Sequence, residues 1–156
     1  LLGRLSMCDA IISIKPKHVE SILSGKKTVE LRVRNVNLPE GTRLWIYTTL
    51  PIGQVGAHAE VGFIECLSPK EMWRKYGGSI CISKQDFEEY TKSREIVTAI
   101  GLKNVRRLSQ DICLKAMRSC EENFQPPQFF TRLHPERELY KMLHSIDYPK
   151  TGDDRV

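Results

Sequence analysis

The segment Gly25-Lys26-Lys27-Thr28-Val29-Glu30-Leu31-Arg32 gathers the groups in this chain best suited to chemistry. Two ammonium groups, a hydroxyl, a carboxylate and a guanidinium lie within eight residues. Lysine and arginine can hold phosphate or carbonyl oxygen, arginine with two parallel hydrogen bonds. A carboxylate between them can accept from an amine or orient the neighbouring cation. Two readings stand side by side. In one, Lys27, Glu30 and Arg32 line a cleft and hold a ligand, and Lys27, Thr28 and Glu30 are the catalytic candidates if the protein is an enzyme. In the other, the charges pair on a solvated face and Glu30 only orients Arg32.

The spacing of apolar residues says which elements must hold this segment. Val19, Ile22 and Leu23 recur at helical spacing, so residues 17–24 read as a short amphipathic helix that Gly25 can close in a left-handed conformation. After Lys27 the period becomes two. Val29, Leu31 and Val33 alternate with Thr28, Glu30, Arg32 and Arg34, which predicts a strand over residues 27–34 with the three aliphatic side chains inward. Thr28 then shares a face with Glu30.

The remaining elements are read in the same way. Residues 10–14 form an apolar strand ended by Lys15-Pro16. If this strand neighbours the second, Lys15 stands at the edge of the cleft; otherwise it is a surface lysine. Residues 35–41 are a loop. Residues 43–49 alternate with large residues on both faces and suit a central strand, where Tyr47 could stack a base or fill the core. Residues 54–67 form a long strand whose Gly56 and Gly62 mark bulges. Ser68 to Glu71 is a capping box opening a helix to Tyr76. Ser83 and Asp86 open another, to about Lys92. Residues 95–102 are a strand that 103–108 extend or follow, residues 112–117 are helix-like, and Pro135 opens a last helix with Leu139, Met142 and Leu143 on one face. Bent strands with interior glycines favour a small mixed barrel of about five or six strands, an α+β fold with short peripheral helices, over a doubly wound sheet.

Composition narrows the partners. The chain has 156 residues, 40% hydrophobic and 28% charged, with a net charge of +5. Met7 reads as a natural start with residues 1–6 an artificial remnant, residues 7–147 as one domain, and residues 148–156 as a flexible tail. No apolar run approaches the ~20 residues that span a bilayer, and no signal peptide is visible. Between Lys15 and Arg34 six Lys/Arg face only Glu20 and Glu30, a local balance of +4. Such a patch favours anionic partners, nucleic acid first. The five cysteines lack C-x-x-C spacing, which fits a reducing cytoplasm, and Cys66 and Cys81 read as buried packing residues. None of the four histidines has metal-ligand spacing, and no phosphate-loop or dinucleotide fingerprint is present, so neither metal nor cofactor is expected.

Gly25-x-Lys27-x-x-Glu30-x-Arg32 resembles the G-x-K-x-x-E-x-R signature of ASCH (activating signal cointegrator homology) domains, a branch of the PUA-like superfamily. Residues 12–16 are similar to the opening strand of these domains, residues 44–51 to their third element, and Pro126-Pro127-Gln128-Phe129 to a segment near their end. The resemblance spans about residues 10–133. It implies a PUA-like barrel with a cleft beside the signature, where Lys15, Lys27, Glu30, Arg32 and Tyr47 would bind RNA or a modified nucleoside. Some small relatives hydrolyse 4-acetylcytidine with a lysine, a threonine and a glutamate, and others are ribonucleases. Lys27 matches the hydrolase lysine, but the hydrolase threonine falls on Glu30, and Leu50 stands where many relatives carry lysine. An RNA- or nucleoside-binding module is thus expected, with an acylated-nucleoside hydrolase or a ribonuclease as the alternative.

Overall fold

The computed structural model describes residues 8–147. The expectations for residues 1–6, for Met7 and for the tail 148–156 lie outside the described residues. Six strands, β1 (Asp9–Ile14), β2 (Val29–Arg32), β3 (Arg43–Thr48), β4 (Gln54–Leu67), β5 (Val97–Cys113) and β6 (Phe130–Leu133), form one sheet in the order β2-β5-β4-β3-β1-β6. All neighbours are antiparallel except β1 and β3. Five short helices pack around it: α1 (Pro16–Leu23), α2 (Pro69–Tyr76), α3 (Lys84–Tyr90), α4 (Leu114–Cys120) and α5 (Glu138–Asp147).

The long β4–β5 pair bends the sheet. Its register slips between Val55 and Ala57, between His58 and Glu60, and between Val61 and Phe63. Each bulge adds local twist and curvature. Two fall on Gly56 and Gly62, the glycines that suggested bending. The result is a curled half-barrel with an unclosed seam between β2, one edge of the sheet, and the β1–β6 pair at the other.

Period-two alternation then assigns the two faces. Ile12 and Ile14 of β1, Leu44 and Ile46 of β3, Ala57, Ala59 and Val61 of β4 and Ile100 of β5 join one continuous core. A cluster fed by four strands marks the inside of the curl, and Val19 and Ile22 of α1 are part of it. The outer face carries two separate cores. Ile11, Trp45, Tyr47 and Ile112 pack with Met117 of α4 and Leu139 and Leu143 of α5. Val29, Leu31, Val97 and Ala99 pack with Met72 of α2 and Phe87 of α3. Ser68 and Ser83 cap α2 and α3 by accepting from the backbone N–H of Glu71 and Asp86, each cap contributing about 1 kcal/mol.

Several expectations need correction. β2 begins at Val29, not at residue 27, and its apolar residues lie under α2 and α3, not inside the curl. β5 runs unbroken for 17 residues to Cys113, so the helix expected from Ile112 starts at Leu114. β6 was unforeseen. Cys66 and Cys81 are exposed. No helix among the described residues is long and apolar enough to cross a membrane.

Candidate functional site

The sharp turn from α1 into β2 sets the site. Gly25, at φ +83°, closes α1, and the Lys27 amide donates back to the Ser21 carbonyl at 3.0 Å. Thr28 and Val29 amides both donate to the Ser79 carbonyl, which ties the turn to the segment after α2. Because Val29 and Leu31 fill the outer core, Glu30 and Arg32 must face the inside of the curl, where Glu30 pairs in register with Ile100.

Three charged side chains meet there, Lys27 and Glu30 buried and Arg32 half-buried. Lys27 is 3% exposed; its Nζ donates to the Ile80 carbonyl at 2.8 Å and lies 3.5 Å from Glu30 Oε1. Glu30, 6% exposed, accepts from the Leu31 amide at 3.1 Å and lies 3.4 Å from Arg32 Nη2. Arg32 Nη2 also donates across the seam to the Ser13 carbonyl at 2.9 Å, joining β2 to β1 without a strand ladder. Its Nε is buried with no hydrogen-bond partner among the described residues.

These groups border a cleft of about 540 Å³ in the seam. Lys15, Lys17 and His18 line it from the start of α1, Asp86 and Tyr90 from α3, and Gln128 and Phe129 from the segment before β6. Four cations therefore face two carboxylates. Burial pulls the Lys27 ammonium below the usual lysine range, and Glu30 opposes this only in part. His18 is pulled below the usual histidine value by burial first and then by the charge of Lys27. At neutral pH His18 is thus a neutral imidazole able to accept a proton. Burial raises the Tyr90 phenol.

Of the residues singled out from the sequence, Lys15, Lys27, Glu30 and Arg32 surround this one cleft. Two do not join them as expected. Tyr47 is 3% exposed and packs in the outer core beside Ile112 and Met117, so it offers no stacking surface. Thr28 is exposed and borders a different depression with Leu102, Val105 and Arg107. The strand starts only after it, so the alternation that put Thr28 beside Glu30 does not reach back that far. Conversely, His18 and Tyr90 were not singled out. The local signal for His18 was its place in Lys15-Pro16-Lys17-His18, the first turn of the helix that leads into the signature.

The family described as "Domain of unknown function (DUF365)" matches residues 9–121. A curated protein of Zymomonas mobilis, an ASCH domain-containing ribonuclease, is 36% identical over 136 residues, covering 86% of this chain and 90% of its own. The chain belongs to the ASCH family. The solved ASCH structure from Zymomonas mobilis superposes with a TM-score of 0.81 at 34% identity, over 87% of this chain and 94% of its own. A tyrosine-to-phenylalanine variant of the same protein gives 0.82 at 33% identity, over 90% and 99%. Human THYN1, solved in complex with DNA containing 5-methylcytosine, gives 0.53 at 12% identity over 90% of this chain and 98% of its own. That last likeness concerns the PUA-like fold alone. The expected ASCH membership and PUA-like architecture therefore hold.

Proposed function

We propose that this ASCH protein is a ribonuclease that holds a short single-stranded RNA in the seam cleft. The observation that carries the reading is the burial of Lys27 and Glu30 at the cleft, with the half-buried Arg32 beside them. Taking ionised groups out of water costs several kcal/mol each, and well-packed apolar residues would often serve the fold as well. Charges kept at such cost in a cleft, with the Lys27 ammonium pulled down by its burial, point to function. The cationic excess suits phosphate, and Tyr90 and Phe129 add aromatic surface for bases. The Zymomonas mobilis relative, named a ribonuclease, aligns over nine-tenths of its length.

The chemistry that suits these groups is attack by the RNA's own 2′-hydroxyl. Neutral His18 takes the O2′ proton, O2′ bonds to phosphorus, and the P–O5′ bond breaks. Lys27, more acidic than an ordinary lysine, gives its proton to the departing O5′. Arg32 and Lys15 hold the non-bridging oxygens, where negative charge grows. Glu30 positions Lys27 and Arg32. The products are a 2′,3′-cyclic phosphate and a 5′-hydroxyl.

The test uses a short single-stranded RNA and a copy with a single 2′-deoxy nucleotide at the cleavage position. The wild-type protein should leave a cyclic phosphate on the first and leave the second bound but whole. His18→Ala should bind both and cut neither at an appreciable rate. Intact RNA after incubation with wild-type protein, or equal cutting of the 2′-deoxy copy, contradicts the reading.

A further inference from the structure

The seam does not end at Arg32. On its far side lies a second, smaller cavity of about 220 Å³, walled by Ile12, Val36, Ile100 and Phe130. Arg32 and Phe129 border both cavities, so the charged cleft and the apolar slot are neighbours separated by one side-chain layer. Arg34 stands at the slot with its guanidinium carbon 4.7 Å from the centre of the Phe129 ring. Asn35, exposed, completes the lining on the same side. Arg32 Nε, buried with no hydrogen-bond partner among the described residues, belongs to a residue that borders both spaces.

We propose that this slot is a nucleobase pocket for the nucleotide whose phosphate rests on Arg32. The inference rests on the RNA reading of the cleft and names its next subsite. A nucleotide carries an anionic phosphate and a flat, largely apolar base one sugar apart. The seam offers a cationic cleft and a mostly apolar slot that share Arg32 and Phe129 as lining. The volume is below the ~300 Å³ at which drug-sized pockets begin, which suits a single ring system. Arg34 already covers one face of the Phe129 ring, so a base stacks on the open face of that guanidinium or against the uncovered part of the ring. Asn35 provides an amide for the edge of the base. Ligand entry requires an unpaired base, so the slot selects single strands over duplex.

The experiment is a calorimetric titration of ApA made 2′-deoxy at its 5′ nucleotide, so that the proposed reaction cannot cut it, and of the same dinucleotide in which one sugar lacks its base. Wild-type protein should bind ApA about ten-fold more tightly than the abasic analogue. Asn35→Trp, which places an indole at the slot from an exposed position, should remove that preference and leave the abasic affinity unchanged. Arg34→Ala, another exposed site, should reduce the preference without abolishing it. Thermal melting confirms that both variants fold. Equal affinity of the wild type for the two ligands, or a preference that survives Asn35→Trp, overturns the slot while leaving the cleft reading intact. Failure of both ligands to bind wild-type protein overturns the cleft reading and the slot together.

Discussion

Removing one member of the buried charge cluster should not cost the same as removing another. Glu30 lies between two cations, 3.5 Å from Lys27 and 3.4 Å from Arg32. Glu30→Met leaves both cations in the low-dielectric interior without their shared carboxylate. Breaking a buried pair in this way costs about 3–5 kcal/mol. Lys27→Met is different. Glu30 keeps Arg32 and the Leu31 amide, and the desolvation of the ammonium is relieved. What is lost is chiefly the donor to the Ile80 carbonyl, whose unsatisfied oxygen costs about 1–3 kcal/mol. Urea unfolding of the two variants should therefore show Glu30→Met as the more destabilised, while both lose RNA cleavage. The pH dependence carries a second signature. Lys27 has a folded pKa below its unfolded value, so between the two the unfolded chain holds the extra proton. Stability conferred at this site then rises with pH across that window. Lys27→Met should flatten the rise. Equal destabilisation by the two substitutions, or an unchanged pH profile in Lys27→Met, would refute this account of the cluster.

Other outcomes follow from the same geometry. Because His18 is held below the ordinary histidine value, cleavage should rise with pH through a midpoint below about 6.5; a midpoint above that value would remove His18 as the base. Little or no hydrolysis of 4-acetylcytidine is expected, since the nucleophile position holds Glu30 and Thr28 lies outside the cleft. Release of cytidine and acetate that vanishes in Thr28→Ala would contradict this. Gly101 is tested by stability alone: a Cβ there would fall 2.1 Å from the Phe63 ring. Gly101→Ala must push that ring off its stack on Tyr76, so it should lower stability by about 1–3 kcal/mol. A neutral effect in a denaturant melt would show that the ring moves freely.

Local chemistry carried much of the fold. The serine caps of α2 and α3, the glycine closing α1 and the two bulge glycines of β4 are written in neighbouring residues, and each stands where its local signal put it. Features set by distant contacts were harder to read. β6 forms only because Phe130–Leu133 pairs with β1, more than a hundred residues away, and its proline-rich approach masks any strand pattern. β5 carries a polar stretch through Lys103 to Arg107 that breaks the alternation although the ladder to β4 continues. The burial of Glu30 and the partial burial of Arg32 depend on the curl, which two-residue periodicity does not encode. A half-exposed strand and one buried on both faces share the same alternation. His18 escaped notice because a lone histidine carries no spacing signal, and its low pKa comes from burial and from Lys27, nine residues on.

If RNA lies in the seam cleft, the salt dependence of its binding shows this most directly. A short single-stranded RNA is titrated at two or more salt concentrations against wild-type protein, the Lys15→Gln/Lys17→Gln double variant and the Lys27→Ala/Arg32→Ala double variant. Three phosphate contacts would give a slope of log affinity against log salt of about −2. Loss of the exposed Lys15 and Lys17 should weaken binding and make that slope shallower. Loss of Lys27 and Arg32 should weaken it further in protein that still melts cooperatively. Binding that neither double variant changes, at a slope near that of the wild type, would place the RNA elsewhere on the protein and contradict the account.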